Sequence, residues 1–172
     1  MTESGVVARS TSEVDRPRAF DTIVFGGLAI GILDFFDATL FFGLYSGVPF
    51  QRIWQSVSAG VLGTEAARAG AWNTAALGIF LHFVVAFCIA TVYYFAARNI
   101  GFLIRRPVIS GLIFGVLAHL VMKFVVVPLS AIGGGISGYT LPNFLNSVIG
   151  HALLVGLPVA LIAAWSARRS KV

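Results

Sequence analysis

Four long apolar stretches organise the chain, over residues 22–45, 73–98, 108–129 and 143–166, with polar side chains thinly scattered inside them. A helix rises about 1.5 Å per residue, so about 20 such residues cross the roughly 30 Å of hydrocarbon in a bilayer. Strands of a membrane barrel would instead be about ten alternating residues each. Arg105, Arg106 and Pro107 punctuate the turn between the second and third stretches; Gly133-Gly134-Gly135 and Pro142 mark the loop before the fourth. The pattern predicts an all-α, integral-membrane four-helix bundle.

The connection between the first two stretches, residues 46–71, is too long for a simple turn. Pro49 suits a helix start, and Phe50, Ile53, Trp54, Val57 and Val61 recur at helical spacing with Gln51, Arg52, Gln55 and Ser58 between them. This predicts a short helix lying in the outer interface. It either covers the bundle or offers a lid or partner-docking surface.

Composition sharpens the class. Hydrophobic residues make up 58% of the chain and charged residues 11%, where soluble domains carry about 25% charged. An ordinary soluble enzyme, a DNA-binding domain and a disordered tail are all excluded. Cys88 is the single cysteine, so neither a disulfide framework nor a Cys-based metal motif is expected.

The net charge of +5 does not point to nucleic acid, because the basic residues flank the apolar stretches. Arg9, Arg16 and Arg18 precede the first, Arg98, Arg105 and Arg106 join the second to the third, and Arg168, Arg169 and Lys171 follow the fourth. Nine of the twelve basic residues thus share one side, against Arg52 and Arg68 opposite and Lys123 within a span. The positive-inside rule places both termini in the cytoplasm. Trp72 and Trp165 sit at span ends as interfacial anchors. Residues 1–19 lack an apolar run and read as a flexible cytoplasmic tail without a signal peptide. Residues 20–167 form one four-span transmembrane domain, and 168–172 form a basic cytoplasmic tail.

Small residues recur every four positions and let helices approach closely in lipid. The rows are Gly27, Gly31, Asp34, Ala38; Gly78, His82, Ala86, Ala90, Tyr94; Gly111, Gly115, His119, Lys123; and Asn143, Asn146, Ser147, Gly150, with His151 beside the last. Ionisable residues within a membrane are functional-site candidates, since a charge facing lipid costs about 2.5–3.5 kcal/mol on the mildest scale. Counted from the outer span ends, Asp34, Asp37, His82, His119 and His151 fall roughly 12–17 Å deep, and Lys123 roughly 9 Å. The expectation is a buried polar layer of Asp34, Asp37, His82, His119, Lys123 and His151, supported by Asn146, Ser147 and Tyr94. Asp34 and Lys123 could form a buried ion pair, and Pro158 is expected to disturb the fourth span.

Three functions fit such a layer. Histidine titrates near neutrality and a neighbouring carboxylate can pass or hold a proton, which suits proton or small-solute handling. A redox or metal site is the second: two of His82, His119 and His151 could ligate haem b, with Gly78, Gly115 and Gly150 making room, or the three with Asp34 could hold a divalent metal. A non-catalytic accessory or scaffold role in a membrane complex, or in a homo-oligomer, is the third. No GxSxG, P-loop or dinucleotide fingerprint occurs in the sequence, and no catalytic residue is assigned.

Within residues 73–160, His82 followed by Ala86 and Tyr93-Tyr94, Gly111-x3-Gly115-x3-His119 leading to Pro128-Leu129, and Gly150-His151 form a recognisable set. In these features the chain resembles small four-span bacterial inner-membrane proteins of uncharacterised activity, distantly YagU-like. The resemblance implies a bacterial cytoplasmic membrane and brings no reaction with it.

Overall fold

The computed structural model describes residues 16–132 and 140–169. Arg9, Lys171, most of both predicted tails and the Gly133-Gly134-Gly135 run lie outside the described residues. Within them the chain is helical, with no strand. In chain order the helices are α1 (Asp21–Tyr45), α2 (Phe50–Leu62), α3 (Thr64–Ala69), α4 (Ala71–Asn99), α5 (Gly101–Arg105), α6 (Pro107–Leu129) and α7 (Leu141–Arg169). Four of these, α1, α4, α6 and α7, are long and apolar enough to cross a membrane, with mean hydropathies of 1.8, 2.4, 2.3 and 2.1.

Local chemistry sets the helix ends. Pro107 opens α6, and Pro142 lies in the first turn of α7, where a missing N–H costs nothing. Thr140 caps α7 by accepting the Asn143 N–H at 3.4 Å. Two later prolines act differently. Pro128 and Pro158 each follow a widened, π-helical stretch, Met122–Val126 in α6 and His151–Gly156 in α7. A proline ring crowds the carbonyl four residues back and supplies no N–H. The wider turn takes up that mismatch, so the disturbance expected at Pro158 appears one turn before it.

Packing follows the small residues. α1 lies between α4 and α7, and α7 also packs along α6. At the α6–α7 contact a Cβ on Gly115 would run into the His151 carbonyl, and one on Gly156 into the Gly111 carbonyl. These backbones touch because neither helix carries a side chain there. Towards the Tyr93 end, Ile30, Ala86, Ala90, Val155, Val159 and Ala160 form a continuous buried apolar core. Beyond it, the Arg18 N–H donates to Ser166 Oγ at 2.8 Å, and Ser166 donates to Asp21 Oδ2 at 3.3 Å. Asp21 stands in the first turn of α1, where a negative charge favours the helix N-terminus. Large apolar side chains such as Phe36, Phe80, Leu117 and Phe124 cover the outside, a surface suited to lipid.

Helix α2 docks on the opposite half of α4. The Trp54 carbonyl occupies the place where a Gly78 side chain would be, and Ile53, Trp54 and Ala59 are buried. The sequence places Gln55 and Ser58 on this helix's polar side, yet both are buried. The reason is backbone satisfaction. Gln55 Nε2 donates to the Ala71 carbonyl at 2.8 Å and to Thr74 Oγ1 at 3.2 Å, and Ser58 Oγ donates to the Gln55 carbonyl at 3.0 Å. Buried polar groups paired in this way serve the fold rather than the solvent.

Gly115→Ala should destabilise the protein by about 1–3 kcal/mol, because the added methyl meets backbone rather than a movable side chain. Gly60→Ala, whose nearest neighbour would be Ser130 Cβ at 3.9 Å, should be neutral or slightly stabilising. Thermal unfolding in one detergent reads both; equal shifts would contradict the close α6–α7 approach.

Candidate functional site

Two adjoining cavities open among the long helices and α2. The first, about 420 Å³, is bounded by α1, α4, α6 and α7 with Val57 of α2, and its polar side chains are Asp34, His82, His119, Lys123, Ser147 and His151. The second, about 400 Å³, lies against α2 and is lined by Asp34, Asp37, Arg52, Ser56, His82 and Asn146, among others. Asp34, His82, Ser147 and His151 border both. The six residues of the predicted polar layer therefore all line this joined space. Tyr94, on the same row of α4 as His82, lines neither; its hydroxyl accepts from Arg98 at 3.1 Å.

His82 reaches from α4 to α1. Its Nε2 lies 2.9 Å from the Gly31 carbonyl, and since a carbonyl only accepts, that nitrogen carries the hydrogen. Nδ1 then faces Asp34 Oδ2 at 3.9 Å. Trp54 packs edge-on to the imidazole at 5.2 Å and stacks on Phe35 at 4.4 Å. Aromatic walls thus hold the ring between a backbone acceptor and a carboxylate.

Across the cavity, His151 Nδ1 donates to the Ser147 carbonyl at 2.9 Å. That bond orients the ring and leaves Nε2 for other partners. The His119 ring meets it edge-on, with centroids 5.0 Å apart. His119 is only 3% exposed, and its Nε2 has no hydrogen-bond partner among the described residues. Lys123, one turn further along α6, places Nζ 4.6 Å from the Phe144 ring centre, a favourable cation–π distance. On the α2 side, Asn146 Nδ2 donates to Asp37 Oδ2 at 3.1 Å. A Cβ on Gly150 would sit 3.0 Å from the same oxygen, so the glycine lets the carboxylate reach α7.

These contacts bear on cofactors. Gly115 abuts the His151 carbonyl, Gly78 abuts Trp54 and Gly150 faces Asp37, so none of the three opens room for a macrocycle. His119 and His151 touch each other instead of facing across a gap. Among the described residues, no group of three or more His, Cys, Asp or Glu is placed to hold a metal ion. The set His82, His119, His151 and Asp34 is split between two walls, His82 with Asp34 on one and the paired histidines on the other.

Arg52, Ser56 and Trp54 join the site although the sequence reading assigned them to an interface helix. One signal was available. Gly78 and His82 share a face of α4, so whatever packs on Gly78 also stands beside His82. No family model, curated protein or solved structure matches the chain.

Asp34→Leu should cost about 1–3 kcal/mol, because it strips His82 of its facing carboxylate, whereas Glu65→Leu on exposed α3 should stay within about 0.5 kcal/mol. Unfolding midpoints in matched detergent provide the comparison, and equal losses would contradict an interior Asp34.

Proposed function

We propose that this is a multi-pass protein of a bacterial cytoplasmic membrane that takes protons or a small polar solute into the joined cavity. The observation carrying the reading is that Asp34, His82, Ser147 and His151 border both halves of one polar space. Ionisable side chains gathered around a cavity, and not dispersed between packed helices, are what a proton or solute site requires. His82, held between the Gly31 carbonyl and the Asp34 carboxylate, stands in the wall that both halves share.

In this reading the four long helices form a transmembrane bundle with both termini cytoplasmic. Arg16, Arg18, Arg98, Arg105, Arg106, Arg168 and Arg169, which lie at or next to one end of each long helix, support that orientation. Helix α2 then lies at the outer interface and caps the cavity. Kinship with the small YagU-like membrane proteins is part of the same proposal and agrees with the location.

Reconstitution into liposomes tests the function in two arms. A pH-sensitive dye inside the vesicles reports proton entry after an acid jump, and light scattering reports uptake of small neutral solutes. In at least one arm the protein should exceed empty liposomes, and Asp34→Asn should slow that arm by an order of magnitude. Rates equal to empty liposomes in both arms would overturn the proposal and leave the layer as a packing device.

A further inference from the structure

We infer that the corner between α5 and α6 holds the phosphate of an anionic phospholipid, an inference that rests on the four long helices spanning a bilayer and not on what the joined cavity takes in. Charge is spread unevenly along the chain. All seven acidic residues fall within residues 1–65, so α4, α5, α6 and α7 contain none. A cation on these helices that no acid of the first part of the chain reaches is neutralised from outside the protein. Arg105 and Arg106 are such cations: both are exposed, and no carboxylate among the described residues pairs with either.

Other basic side chains at this end of the bundle are already engaged. Arg18 faces Asp21 at 3.7 Å, Arg98 donates to the Tyr94 hydroxyl at 3.1 Å, and Arg169 stacks on Trp165 at 4.5 Å. Arg105 and Arg106 instead line one surface cleft of about 270 Å³ with Pro107, Val108 and Ile109. Two like charges bordering one cleft repel each other until an anion stands between them. A guanidinium meets phosphate oxygens with two parallel N–H donors, which makes phosphate the anion that this pair suits. The corner is also held in place. Ile104 is buried, and the Leu103 carbonyl accepts from the Tyr93 and Ser110 hydroxyls at 3.2 and 3.1 Å.

What extends from the cleft selects a lipid over a free phosphate. Ile109 begins a row on α6 that continues at four-residue intervals through Ile113 and Leu117, each 53% exposed. Side chains four apart stand one above another on a helix, so the row is an apolar track leading away from the two arginines. The hydrocarbon chains of a lipid whose phosphate sits in the cleft lie against this track. A soluble phosphate ester leaves the track unused, and a zwitterionic lipid brings an ammonium into the same positive field. An anionic glycerophospholipid satisfies both parts.

The full-length protein, released from nanodiscs of phosphatidylglycerol and phosphatidylcholine with matched acyl chains and weighed by native mass spectrometry, tests the inference. Retained phosphatidylglycerol should exceed retained phosphatidylcholine. Arg105→Gln with Arg106→Gln should reduce that preference about tenfold or more. Arg168→Gln with Arg169→Gln, which removes the same charge from the end of α7, should leave most of it. All four side chains are exposed, so unfolding midpoints of both variants in detergent should match the wild type and show that a lost preference is not misfolding. Equal retention of the two lipids, an equal loss from both arginine pairs, or displacement of the lipid by glycerol 3-phosphate would overturn the inference. Flux through the cavity is read separately: its absence leaves a lipid at Arg105 and Arg106 in place, and loss of the lipid preference leaves the flux reading standing.

Discussion

The contact between α6 and α7 decides where the cavity can exist. Gly111, Gly115 and Gly156 bring the two backbones together, and the rows that carry them continue outward into His119, Lys123 and His151. Where the rows are glycine, the helices touch. One turn beyond Gly115, α6 carries His119, whose ring meets that of His151 with centroids 5.0 Å apart. The His151 carbonyl itself lies against Gly115, so the polar groups stand directly beside the closest backbone contact. In lipid, such close van der Waals contact does the work that the hydrophobic effect performs in water.

Helix α4 repeats this arrangement with a different partner. Gly78 accepts the Trp54 backbone, and one turn on His82 turns to Gly31 and Asp34. Docking α2 on Gly78 places Trp54 beside the His82 ring and builds the second cavity's wall. The hydrogen bonds of Gln55 to Ala71 and Thr74 fix α2 at the α3–α4 corner. Helix α2 is therefore structural support for the site as well as its cover.

The four spans, their small-residue rows and the six ionisable residues were legible because helical periodicity and length are one-dimensional properties. What each row meets was not. Periodicity assigns Tyr94 to the same face as His82, but twelve residues separate them, roughly 18 Å along the axis, and Tyr94 ends beside Arg98. Gln55 looks like part of a solvated face until the Ala71 carbonyl at the α3–α4 corner is known, and Ser58 until its bond back to the Gln55 carbonyl of its own helix is. The sequence offered Lys123 as an ion-pair partner for Asp34, and that Asp34 faces His82 follows from α1 lying against α4. In each case the missing information was the neighbour, which depends on tertiary packing.

The cavity is asymmetric along the helix axes, and that limits what it can do without motion. On the α2 side it continues past Asp37 and Asn146 to Arg52 and Ser56. Towards the Tyr93 end it stops at Ile30, Ala86, Ile89 and Val155, behind which Ala90, Val159, Ala160 and Ala163 are fully buried. Binding from the α2 side needs no change in this core. Passage to the other side requires α1, α4 and α7 to part where short side chains hold them closest. The widened stretch His151–Gly156, which carries Val155, runs along that floor, where the backbone ladder already departs from the α-helical pattern. On the proposed reading, loading and transfer are separate physical steps, with the polar layer governing the first and the alanine-rich seam behind it governing the second.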